Sequence, residues 1–140
     1  MRWIFQTGTG ERYLDWIILF LRIAIAVMIM THGWPKLVRL LEGGEIRFGD
    51  PVGLGPAVSL ALATFAEFVC AILIALGLGT RLASIPLIIN MSVAAFIAHG
   101  PDPFSDKEMA ILYLLFFILF FATGGRRYSL DHLLSEKRRI

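Results

Sequence analysis

Four apolar stretches divide the chain, at residues 14–33, 57–79, 82–99 and 107–124. Each has close to the roughly 20 residues that an α-helix needs to cross a bilayer. Only a tight turn separates the second stretch from the third, which makes these two antiparallel neighbours. The pattern predicts an all-α fold: a polytopic membrane four-helix bundle with a short interfacial helix after the first span. Residues 1–140 are expected to form this single domain.

Composition agrees with a membrane location, because hydrophobic residues make up 57% of the chain, charged residues 17%, and the mean hydropathy is +0.73. A soluble domain of this size could hardly tolerate these values. No small-residue cleavage site follows the first apolar stretch, so we expect it to be a retained span and not a signal peptide. The lipid bilayer is therefore the first expected partner.

The basic residues predict an orientation. Eight of them fall on the side that holds the N-terminus, the short turn and the C-terminal tail, and four fall on the other side. The first group is Arg2, Arg12, Arg81, Arg126, Arg127, Lys137, Arg138 and Arg139, and the second is Lys36, Arg39, Arg47 and Lys107. The positive-inside rule then places both termini in the cytoplasm, in a bacterial or archaeal cytoplasmic (inner) membrane. The net charge of +2 reflects this topology, and we expect no nucleic-acid partner.

Each of the first three spans carries one strongly polar residue near its middle: Arg22, Glu67 and Asn90. Counting from the span ends places all three roughly 13–17 Å below one surface, with Tyr113 of the fourth span a little above them. Polar groups in a bilayer usually face a partner or a wet cavity and often mark a functional site. We therefore predict a buried Arg22–Glu67 pair with Asn90 and Tyr113 beside it.

The side opposite the termini holds further candidate chemistry. His32 and Lys36 lie four residues apart and share a helix face if the helix survives Trp34-Pro35. His32 and His99 either cap helix ends at the interface or act as ligands of a non-covalent haem between the first and third spans. The rim offers too few close ligands for a zinc site, so no other metal is expected. Cys70 is the only cysteine, which excludes a Cys-x-x-Cys thiol relay.

Several short motifs resemble the DoxX family of small four-helix membrane proteins over about residues 14–131. In chain order they are Leu19-Phe20-Leu21-Arg22, His32-Gly33-Trp34-Pro35-Lys36-Leu37, Ala66-Glu67-Phe68, Leu76-Gly77-Leu78-Gly79-Thr80-Arg81, Lys107-Glu108 and Gly124-Gly125-Arg126-Arg127-Tyr128-Ser129-Leu130-Asp131. The positions that match the family pattern are Arg22, His32, Lys36, Glu67 and Arg81, with Gly79 and Arg81 as turn residues. Relatives are linked to quinone-coupled thiosulfate oxidation and to a membrane complex that resists oxidative stress, so the resemblance implies a quinone-linked redox role.

Two functions from different classes follow. In the first, the chain is a quinone-dependent oxidoreductase subunit in which Glu67 and Arg22 are catalytic. Arg22, Asn90, Tyr113, His32 and Lys36 would then bind the quinone headgroup. In the second, the chain is a non-catalytic membrane anchor or assembly module whose polar residues only hold the helices together. A soluble or membrane redox subunit and a homo-oligomer both remain open as partners.

Overall fold

The structure is a computed structural model that describes residues 11–137, and every regular element in this range is a helix. The elements are α1 (Glu11–Glu42), α2 (Pro56–Leu76), α3 (Thr80–Ala98), α4 (Phe104–Thr123) and the short α5 (Leu130–Lys137). The all-α four-helix prediction is confirmed. The predicted spans agree with α1 to α4 within three residues at every end except the end of α1.

Helix α1 is longer than the sequence pattern suggests. It runs for 32 residues through Pro35 and ends at Glu42, so the interfacial stretch expected after the first span is the last part of α1 and not a separate helix. A proline removes one backbone hydrogen bond, which helices in membrane bundles tolerate when neighbouring helices pack against them. The extension has a functional consequence, because it carries Lys36 along the inner face of α1.

Three helices, α1 to α3, are long and apolar enough to cross a membrane by length and composition. Helix α4 is also 20 residues long, but its first turns hold Asp106, Lys107 and Glu108. Large apolar side chains cover the outer surfaces of α1 to α4, and their exposure is what contact with lipid requires. The chain is therefore a membrane protein whose helices contact the bilayer.

Small residues allow the helices to approach closely at the centre of the bundle. Ala26 of α1, Ala66 and Ala71 of α2, and Ala83 of α3 are all at most 4% exposed. Because lipid tails are as apolar as the helix surfaces, burying apolar surface contributes little to helix association in a membrane. Close backbone contact and van der Waals packing hold such helices together instead. Aromatic rings of α4 complete the core, with Phe117 and Phe120 fully buried.

Both ends of the described chain lie at the same end of the bundle. Asp15, near the start of α1, pairs with Arg126, which follows α4, at 2.6 Å. Asp131 of α5 accepts hydrogen bonds from backbone amides of the α2–α3 turn. We call this end the terminal end, and the opposite end, with residues 36–55 and 99–103, the linker end.

Candidate functional site

The buried carboxylate of Glu67 connects three helices. Glu67 of α2 is 3% exposed, and both of its oxygens accept hydrogen bonds. The Nζ of Lys36 in α1 donates to Oε2, and the Nδ2 of Asn90 in α3 donates to Oε1 at 2.8 Å. The expectation that Glu67 and Asn90 share one layer is confirmed. The oppositely charged partner of Glu67 is Lys36, a residue that was expected to lie at the rim of the bundle.

The backbone around Glu67 departs from the ordinary α-helix. Residues Phe65–Cys70 form a π-helical segment inside α2. Such segments are rare, appear as single wide turns within α-helices, and are frequent at functional sites. The wider turn has a smaller rotation per residue than an α-helix, and this sets the direction of Glu67 within it.

Gly33 brings α1 against this segment. A Cβ atom at Gly33 would lie 2.7 Å from the backbone oxygen of Glu67, closer than real contacts of this kind. Only glycine therefore allows the two backbones to touch at this level. The close approach also places Lys36, one turn further along α1, within reach of the carboxylate.

Beside Glu67 lies a cleft of about 620 Å³ at the linker end, bordered by α2, α3 and the loop that precedes α2. Its walls include four ionisable or amide side chains, those of Lys36, Glu67, Asn90 and His99. Most other lining residues are apolar: Phe48, Pro51, Val52, Leu54, Leu62, Ala63, Phe65, Pro86, Ile89, Val93, Ala94 and Ala98. An apolar concave surface with a few converging polar groups is the usual form of a small-molecule site.

His99 closes the far side of the cleft at the end of α3. Its Nδ1 lies 2.9 Å from a carboxylate oxygen of Asp102, and its side chain is 47% exposed. A second π-helical segment, Ala94–Ala98, immediately precedes it. Both π-helical segments of the described chain thus contribute residues to the same cleft.

The predicted Arg22–Glu67 pair is wrong. Arg22 is 1% exposed, and its two terminal nitrogens donate to the backbone oxygens of Gly125 and Tyr128, each at 2.8 Å. Gly33 lies level with Glu67, and Arg22 precedes Gly33 by eleven residues, so about 17 Å of helix separates the two levels. The prediction assumed that the first span ends at Gly33, whereas α1 continues to Glu42. Arg22 therefore connects α1 with the turn that follows α4 at the terminal end, and it lies outside the cleft.

The remaining candidate residues are distributed along the bundle. Tyr113 is 6% exposed, and its ring contacts the exposed His32 edge to face with centroids 6.1 Å apart, outside the residues that line the cleft. Gly79 and Arg81 lie at the terminal end, where Gly79 adopts φ 58° and Arg81 donates to the backbone oxygen of Ala122. His32 and His99 have separate neighbours, and the described residues hold no group of three or more potential metal ligands.

Two features of the structure were not predicted from the sequence. The first is the Lys36–Glu67 contact, which the spacing of α1 could have indicated: Ile25, Ile29 and Gly33 are buried, and Lys36 continues the same stripe. The second is the segment 124–131, hereafter the C-terminal segment, which folds back onto Arg22. No periodic signal marks this return, because it is a turn stabilised by contacts between residues more than 100 positions apart.

The chemistry available at the cleft follows from these contacts. A buried carboxylate can take up and release a proton, an ammonium group and an amide can donate hydrogen bonds, and a histidine adds a second titratable group. Together they could bind an uncharged polar headgroup and exchange protons with it. The same contacts could instead serve only as polar links between three helices, as is common in membrane bundles.

Known proteins resemble this chain in sequence along most of its length. The family model described as DoxX matches residues 17–100. An uncharacterized protein of Haemophilus influenzae is 33% identical over 137 residues, which cover 91% of this chain and 97% of that protein. An uncharacterized membrane protein of Mycobacterium tuberculosis is 29% identical over 137 residues, covering 86% of this chain and 82% of its own length. No solved structure matches the chain significantly.

Proposed function

The chain belongs to the DoxX family of membrane proteins, and on that premise we propose that it is the membrane subunit of a quinone-linked redox system that serves sulfur-compound oxidation or oxidative-stress defence. The cleft beside Glu67 is the quinone site of this proposal. The observation that carries it is a buried carboxylate with two nitrogen donors on the wall of an otherwise apolar cleft.

The residues of the cleft fit a quinone in size and chemistry. Its volume of about 620 Å³ lies within the range of about 300–1,000 Å³ that is typical of ligand pockets. A quinone needs hydrogen-bond donors for its ring oxygens, and Lys36, Asn90 and His99 can supply them. Its apolar tail needs a path to lipid, which the outward-facing Leu62 and Ile89 provide. When bound, the quinone supplies two-electron redox chemistry coupled to two protons.

Each polar residue has a distinct role in this proposal. Glu67 holds and transfers a proton at its carboxylate oxygens, as a general acid and base. Lys36 has a side chain that is 25% exposed, so it connects the buried carboxylate with the solution at the linker end. Asn90, oriented by its bond to Glu67, fixes the geometry of the donors. His99 and its partner Asp102 provide a second titratable pair on the cleft wall.

The proposal needs an electron donor outside this chain. Cys70 is the single cysteine, so a dithiol within one copy of the chain cannot supply the electrons. We therefore propose a partner redox subunit, soluble or membrane-bound, that delivers electrons to the quinone. Arg22, which the sequence analysis placed in the catalytic group, has no part in this step because it lies at the terminal end.

We further propose four crossings of a bacterial or archaeal cytoplasmic membrane with both termini in the cytoplasm. Single cysteines at Glu45 and Ser135, in a Cys70→Ala background, test the orientation. An impermeant thiol reagent should label the first position in intact cells and the second only after permeabilisation. Labelling of position 135 in intact cells would reverse the assignment.

Glu67→Gln is the direct test of the function. Glutamine keeps the shape and most of the hydrogen bonding but cannot carry a proton, so quinone reduction by membranes that contain the protein should be abolished while the fold is retained. Glu45→Gln is the matched control, because Glu45 is exposed at the linker end and lies away from the cleft. Binding of a short-chain ubiquinone to the purified protein should be weakened at least about tenfold by Asn90→Leu, which removes one donor.

The second candidate, a non-catalytic anchor or assembly module, uses the same contacts as structural links of about 1 kcal/mol or less each. It predicts that the purified protein binds no quinone and that Glu67→Gln changes no quinone-reductase activity. That pair of results would replace the redox proposal with the anchor.

A further inference from the structure

A second concave surface lies at the terminal end, away from the cleft. It is a groove of about 1230 Å³ between the start of α1, the α2–α3 turn, the end of α4 and α5. Four arginines line it: Arg12, Arg81, Arg126 and Arg127. The proposed quinone chemistry uses none of these residues.

The carboxylates that line the groove already have partners. Asp15 accepts from the Nε of Arg126 at 2.6 Å. Asp131 accepts from two backbone amides at the start of α3, at 2.6 and 3.0 Å. Glu136 lies 3.4 Å from the ring of His132. The four arginines of the groove exceed these three carboxylates by one, and the pairings leave Arg12, Arg81 and Arg127 available to a ligand.

Arg12, Arg81 and Arg127 are exposed and have no carboxylate partner among residues 12–136. The guanidinium of Arg81 donates to the backbone oxygen of Ala122 at 3.3 Å, which fixes its position at the end of α4 while leaving other N–H groups available. Three guanidinium groups around one groove are suited to a phosphate group, because each can donate two parallel hydrogen bonds to its oxygens.

Neighbouring side chains place the groove at the depth of lipid headgroups. Tyr13 and Trp16, on the turn of α1 that carries Arg12, are 71% and 54% exposed. Tyrosine and tryptophan collect at the membrane–water interface, where one part of the ring is apolar and the other wet. Leu82, next to Arg81, is 74% exposed, which suits contact with acyl chains and not with water.

Helix α5 supports the same depth. Leu130, Leu133 and Leu134 lie at positions i, i+3 and i+4, which share one face, and all three are exposed. The opposite face contributes His132 and Ser135 to the groove. A short helix with an exposed leucine face beside a basic groove is typical of a helix that lies in the plane of the interface.

We propose that this groove binds the phosphate of an anionic phospholipid, with Arg12, Arg81 and Arg127 as the phosphate ligands and the leucines of α5 beside the acyl chains. The site is independent of the proposed quinone function. Each basic residue near an anionic membrane surface contributes about a fivefold increase in affinity. Two arginine replacements should therefore remove most of the preference for an anionic lipid.

Native mass spectrometry of the full chain tests the site. The protein is released from nanodiscs that contain equal amounts of phosphatidylglycerol and phosphatidylcholine with identical acyl chains, and the retained lipids are counted. We expect phosphatidylglycerol to be retained preferentially, and this preference to fall at least about fivefold in Arg12→Gln/Arg127→Gln. Both side chains are exposed, so the double variant should fold, which circular dichroism checks.

The matched control is Arg39→Gln/Arg47→Gln, which removes the same net charge from the linker end and should leave the preference unchanged. Equal preferences in the terminal-end and linker-end double variants would overturn the proposal. Millimolar inorganic phosphate separates the two possible sources of the anion. If phosphate binds the wild-type protein and phosphatidylglycerol shows no preference, the groove is a site for free phosphate and the lipid proposal fails.

Discussion

Replacing Lys36 by methionine should destabilise the protein more than replacing its partner Glu67 by glutamine. In the native protein both carboxylate oxygens of Glu67 accept a hydrogen bond, one from Lys36 and one from Asn90. Lys36→Met leaves one oxygen without its donor in a side chain that is only 4% exposed, so water cannot easily replace it. Hydrogen bonds to charged groups contribute about 1.5–3 kcal/mol in soluble proteins, whereas polar contacts in membrane bundles average about 0.6 kcal/mol. We expect a loss of about 1–3 kcal/mol.

Glu67→Gln should cost less than about 1 kcal/mol, for two reasons. The amide oxygen can still accept from Lys36, while Asn90 can turn its own amide to accept from the new NH₂ group. Lys36 also has a side chain that is 25% exposed, so its charge stays hydrated without the carboxylate. The double variant Lys36→Met/Glu67→Gln should lose less stability than the sum of the two single variants, because it leaves no unpaired buried charge.

The free energy of unfolding can be measured by titration with sodium dodecyl sulfate in mixed micelles, with Glu45→Gln as the control. Glu45 has a side chain that is 79% exposed and pairs with the equally exposed Arg47, so its replacement should stay within about 0.5 kcal/mol of the native value. Additive losses in the double variant, or a larger loss from Glu67→Gln than from Lys36→Met, would refute the account of Glu67 as a buried side chain paired with Lys36.

Three further perturbations test other parts of the structure. Gly33→Ala should lose about 1–3 kcal/mol of stability, because its Cβ would meet the backbone of α2 at 2.7 Å, whereas Gly49→Ala, with nothing within 4 Å, should be near neutral in the same titration. Arg22→Gln should lose about 1.5–3 kcal/mol and speed proteolysis of the C-terminal segment, while the exposed Arg47→Gln should do neither; equal proteolysis of the two variants would contradict the assigned role of Arg22. Asp50 accepts hydrogen bonds from the backbone amides of Gly55 and Leu54, just before α2. These bonds, that of Gly55 first, lower the pKa of Asp50 below its ordinary value of 3.8. The protection of these amides from hydrogen exchange should therefore be complete above about pH 4 and should be lost as pH falls through the lower folded-state pKa, a dependence that Asp50→Asn should abolish.

The helices of the bundle could be predicted because hydrophobic runs and short turns are local properties. The same holds for half of the site. Glu67 lies ten residues before Gly77, and Asn90 lies ten residues after Thr80, so the tight turn between α2 and α3 places them at one level. Their hydrogen bond at 2.8 Å follows from this register.

The other half of the site depends on where α1 ends, and the local sequence pattern predicts helix ends poorly. The motif around Pro35 suggests a boundary, but packing against α2 carries α1 through it and brings Lys36 to the cleft. The same extension places Arg22 about 17 Å from the level of Glu67. The C-terminal segment contacts Arg22 through backbone oxygens. Because every residue has a backbone oxygen, the pattern of side chains does not indicate this contact.

Because of the wide turn at Phe65–Cys70, the cleft depends on how many residues this turn contains as much as on which residues they are. A π-helical turn holds one residue more than the α-helix around it, so removing a single residue there would restore a regular helix without breaking it. The two halves of α2 that flank the turn would keep nearly the same relation, because the wide turn absorbs the extra residue, whereas side chains within the turn, such as that of Glu67, would change direction. Such a chain would still span the bilayer with the same composition and hydrophobic length. Related proteins that differ by one residue in this turn should therefore share the membrane topology but not the cleft.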